Sequence, residues 1–118
     1  MSLFRIFDIS GSALYAQTVR LNTTASNMAN VDSASSSTAN TYRARQPVFA
    51  TQLADADNEA VGVDVLGIVE SQAPLRREYR PDHPLADQNG YVNMPNVNQV
   101  EEMANMISAS RSYQSNVE

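Results

Sequence analysis

The sequence has no cysteine, no lysine and no tryptophan, a single histidine and only four glycines in 118 residues. Without cysteine there is no disulfide and no thiolate metal site. That absence fits either redox compartment, and it also fits a chain exported unfolded. Without lysine, all eight basic residues are arginine, set against 13 acidic residues for a formal net charge of −5. An acidic chain with scattered arginines is a poor match for nucleic acid. No run of about 18 apolar residues occurs, so no membrane-spanning helix is expected. The first eleven residues do not read as a cleaved signal peptide, because they hold one basic residue, Arg5, and Asp8 and Ser10 interrupt any apolar run.

The shortage of chemistry-bearing residues excludes most catalysts. His83 stands between Pro81 and Pro84 with no second histidine and no cysteine, so it builds neither a metal site nor a triad and is read as a loop histidine. Asp55, Asp57 and Glu59 form an acidic turn that lacks the glycine and the later bidentate glutamate of a calcium loop. There is no glycine-rich phosphate loop, and the many serines have no base to activate them. Neither a cofactor nor a metal is expected, and an enzyme has no residues to carry it.

What the chain does have is periodicity at its two ends. Phe7, Leu14, Leu21 and Met28 recur every seventh residue, which on a helix is one apolar stripe about six turns long. The opposite face is mostly polar: Asp8, Ser12, Thr23, Ser26 and Asn30, with Val19 the exception. Asp8, Ser10 and Ser12 are all candidate N-caps. Gly11, Thr18 and Ala25 follow the stripe at four-residue spacing, and their small side chains suit close approach of a second helix. Gly11 costs about 1 kcal/mol of helix stability relative to alanine, which such packing normally offsets. The helix is expected to end near Asn30. Asn27 and Asn30 have two readings: a C-terminal helix cap, which is the simpler one, or a buried amide that fixes register between subunits.

Between the ends the pattern changes. Residues 33–40 are polar and low in complexity, the mark of a flexible loop. Tyr42, Ala44, Val48, Phe49 and Leu53, interrupted by Pro47, suggest short extended pieces. Val61, Val63 and Val65 alternate as in a strand; Gly67 breaks the run as a bulge would, and Ile68 to Glu70 resume it. Residues 75–79 read as another strand with Arg76, Glu78 and Arg80 toward solvent. Asn89-Gly90 is a turn signal, and residues 91–95 return extended.

A second helix is expected after Pro95, capped by Asn96 or Asn98, with Glu101 and Glu102 in its first turn where the helix dipole favours them. Val100, Met103, Ala104 and Ile107, continuing through Gln114 to Val117, form one stripe, and Met106 with Tyr113 form an adjacent one. Two stripes suit a helix with more than one neighbour, though methionine is equally ordinary core filler. The expected class is α+β. A helix spans 1–32, a loop and small β-rich middle span 33–94, and a second helix spans 95–118. The terminal helices pack as coiled-coil-like layers in a helical assembly.

Several stretches resemble a known family. Residues 25–33, Ala-Ser-Asn-Met-Ala-Asn-Val-Asp-Ser, are similar to the N-terminal signature of bacterial flagellar rod and hook proteins. Residues 70–74, 84–87, 90–92, 94–97, 102–103 and 108–116 resemble the proximal-rod branch of that family more specifically. The resemblance covers nearly the whole chain. It implies a structural subunit that polymerises into the hollow periplasmic drive shaft of the flagellar motor, through which other flagellar proteins are exported. It implies export by the flagellar type III apparatus without a cleaved signal, and terminal helices that order on assembly. Implied partners are the chain itself, neighbouring proximal and distal rod subunits, the rod-to-MS-ring adaptor and the export apparatus. In this reading Phe7, Leu14, Leu21, Asn27, Met28, Asn30, Val100, Met103, Ile107 and Tyr113 lie at subunit interfaces. The family's C-terminal helix runs several turns further than the stretch to Glu118. The alternative from another class is a soluble helical adaptor or export chaperone, which self-association into long assemblies would distinguish from a rod subunit.

Overall fold

The computed structural model describes residues 3–52 and 62–117. Its elements in chain order are α1 (Leu3–Ala29), β1 (Arg45–Thr51), β2 (Val63–Glu70), β3 (Arg76–Tyr79), β4 (Tyr91–Met94) and α2 (Gln99–Val117). This is the α+β arrangement of two long helices around a β-rich middle. The molecule is elongated, 64 × 26 × 15 Å, and α1, about 40 Å long at 1.5 Å per residue, runs along part of that length.

α1 begins at Leu3, which places Asp8, Ser10 and Ser12 inside the helix and corrects their reading as N-caps. Ser12 has another use. Its hydroxyl donates to the Ile9 carbonyl (2.8 Å) and accepts from the Val63 amide (3.0 Å), pinning the start of β2 to the helix. Gly11 is exposed with open space around it, so among the described residues nothing packs closely against it to offset its cost. At the other end Asn30 does serve as a cap: its side-chain amide donates to the Ser26 carbonyl (2.9 Å), satisfying an orphan acceptor of the last turn.

The serine-rich loop is not free. Ser35 and Asn93 exchange backbone hydrogen bonds, each 2.9 Å, which fastens the loop to β4. The Ser35 hydroxyl bridges the Ser37 backbone, the Ser37 hydroxyl accepts from Ala39 N–H, and Thr41 donates to the Ser37 carbonyl (2.7 Å). Short hydroxyl side chains thus satisfy a backbone that has no apolar anchor, which is why composition alone suggested flexibility.

The four strands form two separate antiparallel pairs, β1 with β2 and β3 with β4. In the first pair Val48 lies opposite Gly67 and Phe49 opposite Val65, so Leu66 is the extra residue of a bulge. Gly67 has φ +156°, a conformation that side chains resist, consistent with its place in that bulge. Pro47, opposite Ile68, deprives β1 of one backbone donor, as two-stranded edges tolerate. Leu53, the acidic turn at 54–60 and Val61 lie outside the described residues.

In the second pair β4 supplies the centre of the molecule. Val92, Met94 and Val97 are buried with Pro95, and among the described residues the other buried apolar side chains are the small Ala16, Ala44 and Ala109. Arg76, Glu78 and Arg80 do face outward, joined by ion pairs of 3.5 and 2.7 Å. Arg76 also donates to the Val31 and Pro95 carbonyls, tying the ends of both helical regions to β3. Gly90, at φ +84°, closes the β3–β4 connection where a Cβ would meet the Tyr79 ring at 2.7 Å.

Candidate functional site

The candidate site is the pair of terminal helices and the surface they leave open. α2 starts at Asn98, whose side-chain oxygen accepts from the Val100 and Glu101 amides at 3.0 and 3.2 Å. Asn98 is therefore the N-cap, and Asn96 is employed elsewhere. The Asn96 oxygen accepts from Ala44 N–H (2.7 Å) and its amide donates to the Ser71 and Ala73 carbonyls.

α2 then packs along α1 through a row of small and polar side chains. On α1 the buried residues are Ala16, Thr23, Thr24 and Asn27. On α2 they are Glu102 and Ala109, with Met106 half-buried between them and Asn116 half-buried beyond. Arg20 reaches across to the Ser108 hydroxyl at 3.1 Å. Little apolar area is removed from water by such residues, so the helix pair is held mainly by geometry and hydrogen bonding.

Asn27 is the centre of that row and is 1% exposed. Its amide donates to the Arg45 carbonyl (2.9 Å), and its oxygen accepts from Arg45 N–H (2.9 Å) and from the Tyr42 hydroxyl (2.7 Å). The amide also favours the charged form of the nearby Glu102 carboxyl. A primary amide offers two donors and two acceptor sites, and here one donor and both acceptor sites bond within the chain. Asn27 is thus neither a helix cap nor available to fix register between subunits. It joins α1, the start of β1 and α2 within the chain, as an amide does when it imitates a rung of β-ladder.

Glu102 was legible only as a first-turn acid. It is in fact buried. Burial pushes its carboxyl above the usual range; the hydrogen bond with Asn27 opposes the shift and the charge of Glu101 adds to it. A carboxyl raised on folding holds its proton more readily in the native chain. Its contribution to stability is complete below the unfolded value and is lost as pH rises through the folded one. Glu102→Gln should therefore raise the melting temperature at pH 7, and the gain should shrink as pH falls toward 4. Melts of both chains across that range test it; a glutamine variant that is no more stable at pH 7 sinks the account.

The large apolar residues point away from this row. Val100, Met103 and Ile107 are 75, 49 and 59% exposed, and Tyr113 is also exposed. Phe7 is 62% exposed, whereas Leu14, Leu21 and Met28 are half-buried, as is Asn30. Ile6, one position before the stripe, extends the apolar surface of α1, as do Leu3, Phe4 and Tyr15, which the seven-residue spacing missed because they fall off its line. The β1–β2 hairpin adds Leu66 and Ile68. Apolar surface this extensive, on both helices of one elongated chain, marks a contact with other molecules.

The two ends of the chain also carry its likeness to known proteins. Residues 7–35 match the family described as flagella basal body rod protein, and residues 88–118 match that described as flagellar basal body rod FlgEFG protein C-terminal. The chain is 56% identical over 119 aligned residues to the flagellar basal-body rod protein FlgC of Salmonella typhimurium, covering 100% of this chain and 87% of the relative. The FlgC of Aquifex aeolicus is 41% identical, covering 99% of this chain and 86% of the relative.

The chain belongs to the flagellar basal-body rod proteins.

It is a rod protein of the FlgC type, a structural subunit in a family of proteins that are not enzymes. The two matched regions of this rod protein hold most of α1 and all of α2, while β1, β2 and β3 lie between them. No helix among the described residues is long and apolar enough to cross a membrane.

Proposed function

We propose that this chain polymerises as a proximal-rod subunit, with 1–32 and 95–118 forming coiled-coil-like layers of a hollow periplasmic shaft and 33–94 lying outside them. The shaft transmits torque and gives passage to exported flagellar proteins. Its partners are further copies, the neighbouring proximal and distal rod subunits, the rod-to-MS-ring adaptor and the type III export apparatus, which passes the chain without a cleaved signal. The observation that carries the reading is the exposed apolar surface on each terminal helix: Leu3, Phe4 and Phe7 on α1, and Val100, Met103 and Ile107 on α2. The helices already pack on each other, yet Phe7, Val100, Met103 and Ile107 remain in water. Packing within the chain therefore does not satisfy the stripes. Assembly supplies their cover, where burying each side chain stabilises by about 1.5–3 kcal/mol. The half-buried Leu14, Leu21, Met28 and Asn30, and the exposed Tyr113, lie along the same helices and complete the proposed contact surface. The adaptor alternative loses its ground, since the family match runs the length of the chain.

The absence of cysteine gives a background-free test. A single cysteine at Val100 or at Phe7 should react readily with a maleimide in the purified subunit and resist it in isolated basal bodies. Equal reactivity in both would remove the terminal helices from the contact.

A further inference from the structure

Asn89-Gly90 is the sequence most prone to spontaneous deamidation, because glycine offers no side chain to hinder attack by its own backbone nitrogen. In that reaction the Gly90 nitrogen bonds to Cγ of Asn89 and loses its proton, ammonia leaves, and a five-membered succinimide forms. Water then opens the ring at either carbonyl, leaving aspartate or isoaspartate. The net change is one water consumed and one ammonia released, with no oxidant or other reactant.

Asn89 is exposed, so its amide is open to solvent. The peptide that must attack it is held from every side. Gly90 N–H donates to the Asp87 carbonyl (3.0 Å), and the Gly90 carbonyl accepts from Arg80 N–H (2.8 Å). One carboxylate oxygen of Asp87 accepts from both Asn89 N–H and Tyr91 N–H, each at 2.9 Å. The other accepts from the Arg77 guanidinium at 2.9 Å. Asp87 N–H closes the ring by donating to the Tyr91 carbonyl (2.8 Å). Gly90 itself is buried against Tyr79 and Pro81 at φ +84°. Attack on Asn89 requires the Gly90 nitrogen to give up its bond and the backbone to rotate, and both movements break this ring.

From this geometry we infer that Asn89-Gly90 is a latent modification site held shut by the Asp87 clasp. Asp87 does so as a positioning residue that takes no part in the chemistry: its main-chain carbonyl holds the Gly90 nitrogen, and its carboxylate fixes the turn that brings the two together by holding the Asn89 and Tyr91 amides on either side. Its Tyr91 N–H contact lowers the carboxyl from the usual range, partly opposed by desolvation and reinforced by Asn89 N–H and Arg77, so the clasp is ionised at neutral pH. Were the site to open, isoaspartate would add a methylene to the main chain between Asn89 and Gly90, next to the Arg80 N–H to Gly90 carbonyl bond that closes the β3–β4 connection.

The test is peptide mapping by mass spectrometry on the full chain incubated at neutral pH, folded and in urea, with Asp87→Ala alongside. The folded wild type should deamidate at Asn89 at least about tenfold more slowly than the unfolded chain, since reaction is limited to a locally opened state. Folded Asp87→Ala should approach the unfolded rate. Equal rates for folded and unfolded wild type overturn the inference, and so does a folded Asp87→Ala that stays as slow as wild type. Should that variant fail to fold, hydrogen exchange at the Gly90 amide of the wild type decides. Slow exchange supports the clasp, and free exchange overturns it.

Discussion

Ile107→Asp should abolish motility and leave the isolated subunit folded. Ile107 is 59% exposed, so a carboxylate there remains in water and costs the single chain little beyond a few tenths of a kcal/mol of helix propensity. In the proposed assembly the same position is covered, and an unpaired charge in a dry contact costs several kcal/mol. That penalty recurs at every copy, so it acts on the polymer far more strongly than on the subunit. Soft-agar motility and recovery of basal bodies read the first effect, and circular dichroism melts read the second. Leu21→Asp should also block assembly. Because Leu21 is half-buried within the chain, that variant loses monomer stability as well and is the less discriminating of the two. Normal swimming by cells carrying only Ile107→Asp would count heavily against the stripe as a contact.

Asn27→Ala should produce the largest loss of stability available from a single polar truncation. It strands Arg45 N–H and the Arg45 carbonyl, takes a partner from Glu102, and leaves the Tyr42 hydroxyl with the Ser26 hydroxyl alone at 2.9 Å. Each buried polar group left without a partner costs about 1–3 kcal/mol, and water entering the gap recovers part of it, so a total of roughly 3–5 kcal/mol is expected. Urea denaturation measures this directly. Asn27→Asp keeps the shape but replaces donors with a second carboxylate beside Glu102, so it should be more damaging at pH 7 than at pH 4. A loss below about 1 kcal/mol for Asn27→Ala would mean the amide is ornamental.

How much of this was legible depends on what kind of force acted. Period-seven spacing located α1 because helical geometry leaves a repeating trace, and the alternating valines located β2 for the same reason. Gly67 was readable as a bulge because only a glycine tolerates that backbone comfortably. The direction of the stripes was not readable. Val100, Met103 and Ile107 look like the natural inner face of α2, yet the inner face is the row of Glu102, Met106 and Ala109. Hydropathy asks which side chains avoid water, and it has no term for which neighbour covers them. Asn27 was misread for a related reason. Asn27 and Asn30 sit three residues apart in similar local sequence, but one faces a strand and the other the end of its own helix. Residue type alone does not distinguish those surroundings. The serine loop failed through composition: hydroxyls that satisfy their own backbone look like hydroxyls that satisfy water.

The irregularity of the β1–β2 hairpin has a consequence for crowds. Many identical copies of a rod protein coexist before they are placed, each offering a two-stranded ribbon with open sides. A straight ribbon of that kind is a template on which the next copy can crystallise strand by strand, without limit and in the wrong direction. Pro47 removes a donor from one strand and the extra Leu66 throws the other out of step. A newcomer finds no unbroken row of backbone groups to copy. Growth is thereby left to the slower, shape-selective meeting of side chains, which stops when the right neighbour is found.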